Sequence, residues 1–274
     1  MANEEYVNNV LNWRKEMDTN LRRENGWLSL AGLFWLRNGQ NIIGSDTTCD
    51  ILLPPRAPKR LGTFEFDGNN VTLNVEADTV VEVNGMTTKT ALLDADQEDV
   101  PSFITFDDMR MVVVRRSKGV GIRLWDNTQE KIRTFPSREW YPITNAFRLP
   151  AIYTRFESPK IVPLPDILGA TMNTPMHGVL RFSINEQNFE LQVTEEPDHS
   201  FFIQFMDLTN GKLTYPSGRY CRTEPYKENE QFFLDFNKAY NIHCAFTDYA
   251  TCTFPPPENH LKIPIEAGEI YIKH

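Results

Sequence analysis

The stretch Gly62-Thr63-Phe64-Glu65-Phe66-Asp67-Gly68-Asn69-Asn70-Val71-Thr72-Leu73-Asn74-Val75 decides the fold of the first half of this chain. On both sides of its centre, apolar residues stand at every second position, which is the period of a strand with one buried face. The central Asp-Gly-Asn-Asn run is a turn signal. The stretch therefore predicts a β-hairpin.

Short strands of the same kind are predicted on both sides of this hairpin. Their length and the turn signals between them favour a β-sandwich. The predicted strands are Gln40–Gly44, Asp50–Leu53, Gly62–Phe66, Asn70–Val75, Val80–Val83, Phe103–Phe106, Met109–Arg115 and Gly121–Asp126.

A helix is predicted before the sandwich, over residues 4–24. Apolar residues recur there at spacings of three or four, with charged and amide residues between them. Gly26 then ends the helical pattern.

The chain after the sandwich is less regular and then returns to strands. Lys131–Phe135 is predicted to be extended, and Ser158–Thr174, with its prolines and Gly169, to be a loop or boundary. Beyond it, Val179–Ile184 and Phe189–Thr194 alternate around a polar turn and predict a second hairpin.

These elements predict a mainly β chain with three parts. Residues 1–25 form an N-terminal helix, and residues 26–157 form the sandwich. Residues 158–274 form a second antiparallel β unit with a long ordered C-terminal loop. A loop of that length in a compact domain is usually functional or disordered, and this one is rich in Tyr, Phe, Asn and Cys.

Composition and motifs exclude several classes of function. The formal net charge of −9 and the absence of a basic run argue against nucleic-acid binding. The longest apolar-rich stretch, Trp27–Leu36, is too short to cross a membrane, and no signal-peptide pattern precedes it, so we expect a cytoplasmic protein. No dinucleotide, P-loop or nucleophile-elbow pattern occurs, and we expect no cofactor.

The order of features in the sandwich resembles forkhead-associated (FHA) domains. The matching pieces are Ile43-Gly44-Ser45, Asp50-Ile51-Leu52-Leu53 and Val83-Asn84-Gly85. Members that bind phosphopeptides have an arginine where Ser45 stands, and a Ser-x-x-His element, whereas this chain has no histidine before His177. The resemblance implies an FHA-like sandwich without the phosphothreonine-binding residues.

The C-terminal part resembles the uncharacterised family called domain of unknown function 1684. The resemblance rests on Gly218-Arg219-Tyr220, Asp235-Phe236-Asn237, Ala239-Tyr240-Asn241, Cys244-Ala245-Phe246, Cys252, Asn259 and Ala267-Gly268-Glu269, and on Gly26–Leu30 and Gly32–Leu36 near the N-terminus. Ile242-His243 and Lys238 depart from the family pattern of Pro-Pro and Arg. The family implies a functional region within residues 207–269 and no assigned reaction.

Four polar residues of this region are candidates for a binding or catalytic pocket. Arg219 would bind a carboxylate or phosphate through its planar fork, and Asp235 or Asp207 would act as a catalytic base. The structural alternative makes Arg219 the partner of Asp235 and makes Asp207 a cap of its own turn. Asn237, two residues after Asp235, is a predicted ligand-binding residue.

Further candidates follow Asn237 along the chain. Tyr240, Asn241 and Glu269 are predicted ligand-binding residues. Cys244 and Cys252 could be a nucleophile, a disulfide or metal ligands, but their spacing is a weak metal signal, and small buried residues are the commonest explanation. No metal site is therefore predicted.

These candidates lead to two hypotheses about function. The first is binding of a small polar or anionic ligand in a C-terminal pocket, with hydrolysis as the reaction class if the protein is an enzyme. The alternative is a non-catalytic protein-interaction or scaffold module of FHA-like type.

Overall fold

The structure is a computed structural model that describes residues 3–273. Its chain divides into two compact units. The sandwich unit is Arg22–Phe135, and the C-terminal unit combines the chain before Arg22 with the chain from Pro136 onward. Strands hold 44% of the residues and helices 14%, which confirms the predicted mainly β class.

The sandwich unit consists of two sheets and a short helix, α2 (Lys131–Thr134). Its strands are β1 (Leu30–Trp35), β2 (Gly39–Gly44), β3 (Ile51–Leu52), β4 (Gly62–Phe66), β5 (Val71–Val75), β6 (Val81–Val83), β7 (Met86–Thr88), β8 (Thr90–Leu93), β9 (Ile104–Phe106), β10 (Met109–Arg116) and β11 (Gly119–Asp126). One sheet has the order β3-β2-β4-β5-β8, and the other has the order β1-β11-β10-β9-β6-β7.

The hairpin β4–β5 shows why the sequence folds this way. The strands pair antiparallel with Phe64 opposite Leu73, and both side chains are fully buried. The Asp67 carboxylate accepts the backbone N–H of Asn69 at 2.8 Å and holds the turn. Both side chains join a core to which the other sheet contributes Val113, so the sheets form the predicted sandwich. Each such buried side chain contributes about 1.5–3 kcal/mol.

The C-terminal unit begins with helix α1 (Glu4–Arg22), of which all but the last residue belongs to this unit. The helix buries Val10 and Leu21 and confirms the predicted N-terminal helix. The unit also contains strands β12 (Glu139–Trp140), β13 (Arg148–Pro165), β14 (Thr171–Ile184), β15 (Gln187–Glu195), β16 (Phe201–Phe205), β17 (Arg219–Arg222), β18 (Phe233–Asp235), β19 (Tyr240–Asn241) and β20 (Glu269–Ile270). The larger sheet has the order β18-β13-β14-β15-β16-β17-β19, and β12 pairs with β20. Phenylalanines of β16 and Phe236 lie in the core of this unit.

Two local predictions differ from the structure. Residues 158–174 are mostly strand, because β13 and β14 pair through this segment as far as Pro165 and Thr171. Within the described residues, β13 has a second strand partner only at residues 148–150, and residues 253–254 bond to its end at Pro165 and Asp166. The edge between these two places is open and tolerates prolines, which lack an N–H. Lys131–Phe135, predicted to be extended, instead contains helix α2, in which Phe135 N–H donates to the Lys131 carbonyl.

The division between the units also falls away from the predicted boundary at residue 157. It lies between Phe135 and Pro136, and the strand β13 runs through residue 157. A proline and a short helix lie at this division, whereas the prolines of β13 resembled a linker in the sequence.

Candidate functional site

Arg219, on β17, forms a fully buried ion pair with Asp207. Its Nη2 lies 2.7 Å from the Asp207 Oδ2, and neither side chain has exposed surface (0% for both). The guanidinium also donates to the backbone carbonyls of Ile265 (2.8 Å) and Ala267. The pair therefore ties the segment before β20 to β17.

Asp207 caps the turn that follows it, as the structural alternative predicted. Its Oδ1 accepts the N–H of Thr209 at 2.8 Å and the N–H of Ile265 at 3.2 Å. The partner of Arg219 is Asp207, so the predicted pair of Arg219 with Asp235 is wrong. The reason is that Asp207 follows β16, which pairs with β17 beside Arg219.

Glu269, on β20, is the second buried charge of this region. Its Oε2 accepts the Asn241 N–H at 2.7 Å and lies 3.4 Å from the Arg138 Nη1, and the Arg138 side chain is itself buried. Burial raises the pKa of Glu269 to about 7, against the lowering effect of Arg138. Asn241 is also buried, and its side chain bonds to the Ile270 carbonyl and the Tyr215 N–H.

Gly268 lets β20 approach the chain of the Asp235–Asn241 motif. Its φ is +80°, and a Cβ there would lie 2.5 Å from the Ala239 carbonyl oxygen. A side chain does not fit at that distance, so position 268, immediately before Glu269, requires glycine. Glu269 N–H then donates to the same Ala239 carbonyl at 2.9 Å.

Asn259 and Tyr240 also have structural contacts. Asn259 is fully buried and joins β15 to β16 through the carbonyls of Gln192 (2.9 Å) and Gln204 (2.8 Å). The Tyr240 ring packs against Tyr220, and burial raises the pKa of its phenol to about 12.

Asp235 and Asn237 form a second group, away from the Arg219–Asp207 ion pair. Asp235 ends β18, and its Oδ1 accepts the Asn237 N–H at 3.0 Å. Its Oδ2 accepts the hydroxyl of Tyr6, on α1, at 2.8 Å. Asn237 donates to the Tyr6 oxygen (2.9 Å) and to the Thr144 carbonyl (2.8 Å). The pKa of Tyr6 is raised by burial and by the Asp235 charge, so Tyr6 stays a hydrogen-bond donor.

A cleft of about 790 Å³ lies over this second group and within the C-terminal unit. The start of α1, the first residue of β13 and parts of residues 222–238 line it. Arg148 lies over the rings of Phe233 (4.1 Å) and Tyr6 (4.8 Å). Lys238 lines the same cleft and pairs with Glu224 at 2.9 Å.

The predicted site residues thus divide between two places. The buried network, defined here as Asp207, Arg219, Asn241, Glu269 and Arg138, does not line the cleft, whereas Asp235 does. Sequence reasoning missed Tyr6 and Arg148. Both stand far from the motif region in sequence, and only the aromatic residue in Phe233-Leu234-Asp235 hinted at a stacking partner.

All four cysteines are free thiols. Cys221 is fully buried, and burial raises the pKa of its thiol to about 12. Across residues 3–273, no group of three or more His, Cys, Asp or Glu side chains is arranged to hold a metal ion. Over the same residues, no helix has the length and apolar composition needed to cross a membrane.

Comparison with known families identifies the chain. Residues 133–270, just over half of its length, match the family described as Protein of unknown function (DUF1684), and the chain belongs to that family. The predicted family resemblance is confirmed. Comparison with curated proteins gave no match.

Three solved structures are similar to parts of the chain. The NMR structure of an uncharacterized protein of Haloarcula marismortui is 27% identical, with a TM-score of 0.43, over 52% of this chain and 80% of that one. The FHA domain of FhaA, solved with the intracellular domain of Rv3910, is 19% identical, with a TM-score of 0.25, over 33% and 85%. An FHA domain from an analysis of phosphothreonine-dependent interactions is 19% identical, with a TM-score of 0.25, over 34% and 92%.

Proposed function

We propose that the cleft of the C-terminal unit binds a small polar molecule that carries a carboxylate or phosphate group. Arg148 would bind the anionic group, and Asp235 and Tyr6 would form the floor of the site. The observation that carries the proposal is a cation held at the cleft by aromatic rings, with its hydrogen-bond donors unused.

Arg148 is the available cation of the cleft. Across residues 3–273, its guanidinium has no hydrogen-bond acceptor and no ion-pair partner, and its side chain is exposed. Stacking on the two rings fixes the plane of the guanidinium without using its N–H groups. A planar fork with free donors suits the paired oxygens of a carboxylate or phosphate.

The other cations of the cleft are already paired. Lys238 lies 2.9 Å from Glu224, Arg222 lies 3.3 Å from Glu196, and Lys227 lies 3.8 Å from Glu230. An anion would therefore compete with a carboxylate at each of them. Among residues 3–273, no carboxylate forms an ion pair with Arg148.

Hydrogen bonds from two residues, Asn237 and Arg14, hold the floor of the cleft in place. Asn237 fixes Asp235 and the Tyr6 hydroxyl with its N–H groups. Arg14, on α1, donates to the carbonyl of Asn237 at 3.2 Å and so anchors the helix to the same turn. A rigid polar floor suits a binding site because little ordering is required when the ligand binds.

Hydrolysis stays a prediction, as does the alternative of an FHA-like interaction module. Asp235 is the predicted catalytic carboxylate that borders the cleft, and it would be the base in a hydrolytic reaction. The buried network would hold the C-terminal segment and would not contact the ligand.

A matched pair of arginine variants tests the proposal. Thermal-shift screening against a panel of small carboxylates and phosphates would select the tightest binder, and calorimetry would measure its affinity. R148Q should weaken binding at least tenfold, about 1.4 kcal/mol, because it removes a charge-assisted contact. R181Q is the control, since Arg181 is exposed, pairs with Glu190 and does not line the cleft.

Two results would contradict the proposal. Equal affinity of R148Q and the native protein would show that the anion binds elsewhere. A panel in which no compound raises the melting temperature would exclude the proposed ligand class.

A further inference from the structure

Cys244 and Cys252 bring two thiols into contact in the loop after β19. Cys244 lies in the short 3₁₀ turn His243–Ala245, and a hydrogen bond joins its thiol to that of Cys252. The two positions are only eight apart in sequence. The contact is therefore local and depends on one loop.

The surroundings of the pair favour a thiolate on one sulfur. The side chain of His243 hydrogen-bonds to Cys252. The pKa of Cys252 is lowered to about 5, and the hydrogen bond from Cys244 is the largest cause. Burial opposes this lowering, and the contact with His243 adds to it. The same thiol contact raises the pKa of Cys244, which thus keeps the shared proton.

Within residues 3–273, neither Cys49 nor Cys221 has a second thiol beside it. The Cys221 thiol is fully buried on β17 and lies 3.5 Å from the Asp235 carbonyl. Cys49 is partly exposed, and its thiol lies 3.4 Å from the Lys59 carbonyl. Cys49 thus provides an accessible single thiol for comparison.

We propose that Cys244 and Cys252 form a reversible dithiol–disulfide site whose oxidant is a hydroperoxide. One thiolate attacks the peroxide, its sulfur forms a bond to oxygen as the O–O bond breaks, and a sulfenic acid and one water result. The second thiol then attacks that sulfur and displaces a second water. In the whole reaction, two thiols and one hydrogen peroxide give one disulfide and two waters, so the thiols are oxidised and the peroxide is reduced.

Access and geometry are compatible with this reaction. Cys244 is partly exposed, whereas Cys252 is only 8% exposed, so the pair is more open to solvent on the Cys244 side. Side-chain and backbone hydrogen bonds connect the two cysteines, so both thiols lie at the same place in one loop, as closing a disulfide requires. The Cys244 thiol bonds at 3.7 Å to the Ala250 carbonyl within that loop, which keeps both ends of the loop together.

Mass spectrometry of the native, folded protein tests the proposal. The protein would be treated with a small molar excess of hydrogen peroxide, alkylated, digested without reduction and mapped. The expected product is a single cross-link between Cys244 and Cys252, a mass lower by two hydrogen atoms, and full reversal by dithiothreitol. Four alkylated cysteines after this treatment, or oxidation of Cys49 in preference to the pair, would overturn the proposal.

Two variants complete the test. C49S should form the cross-link as the native protein does, and C252S should form none. If C252S does not fold, the cross-link map of the native protein and of C49S decides the question alone. A cross-link that forms only after denaturation would also overturn the proposal.

Discussion

Two arginines of the C-terminal unit, Arg219 and Arg148, have similar aromatic surroundings and opposite polar ones. The Arg219 guanidinium lies 5.2 Å from the centre of the Phe205 ring, and that of Arg148 lies 4.1 Å from the centre of the Phe233 ring. Arg219 is fully buried and donates to Asp207 and to two backbone carbonyls. Arg148 is exposed and, within residues 3–273, donates to nothing.

The contrast separates two uses of the same side chain. A buried arginine with acceptors around it fixes the chain segments that supply those acceptors, and removing it leaves a buried carboxylate without a partner. An exposed arginine held by rings keeps its charge and its donors for a ligand. The C-terminal motif Gly218-Arg219-Tyr220 belongs to the first use.

The largest expected effect is the loss of the buried pair. R219M should lower the free energy of unfolding by about 3–5 kcal/mol, because Asp207 then remains charged and buried. Urea unfolding measures the loss. The double variant R219M/D207N should recover part of it, and a loss below about 1 kcal/mol in R219M would contradict a structural role for the pair.

The next effect concerns Glu269 and depends on pH. Its pKa lies at about 7 in the folded protein, above the ordinary value of 4.5, so the folded state holds a proton that the unfolded chain releases. The stability contributed by this group therefore falls as pH rises from about 4.5 to about 7, by roughly 3 kcal/mol, and is constant above that range.

E269Q should remove this pH dependence. Urea unfolding of the native protein and of E269Q at several pH values between 4.5 and 7 would give the slope of the free energy of unfolding against pH for each protein. Parallel slopes in the two proteins would show that Glu269 is not a buried, protonating acid.

Tyr6 gives a smaller effect at the floor of the cleft. Y6F removes the hydrogen bond to Asp235 and should lower the free energy of unfolding by about 1 kcal/mol, a typical value for one such bond. Y249F is the control, because Tyr249 is exposed on the surface. Equal stabilities of Y6F and Y249F would show that the floor of the cleft is not held by this bond.

The smallest effect on stability is expected at Arg148. R148Q should change the free energy of unfolding by no more than about 0.5 kcal/mol, as is usual for an exposed position. Urea unfolding beside R219M would compare the two arginines directly. A loss in R148Q as large as that in R219M would place Arg148 among the structural arginines.

The sequence predicted the local parts of this arrangement. The β4–β5 hairpin follows from its alternation and turn residues, helix α1 follows from its spacing, and the capping role of Asp207 follows from the turn after it. Each of these depends on residues that are close together in sequence, where periodicity and turn chemistry apply.

The sequence did not predict which charged side chains pair with each other. Asp207 and Asp235 both suit an arginine chemically, and only the pairing of β16 with β17 brings Asp207 to Arg219. The cleft brings together Tyr6, Arg148 and Phe233, which follow one another along the chain at intervals of 142 and 85 residues. Hydrophobic periodicity does not predict contacts between residues so far apart in the sequence.

The most direct test of the account is a crystal structure with the tightest carboxylate or phosphate from the binding panel. We predict that the anionic group lies in the cleft, with its oxygens about 3 Å from the guanidinium of Arg148. A ligand bound at Arg219 or Glu269, with the cleft empty, would contradict the separation between a structural network and a binding cleft.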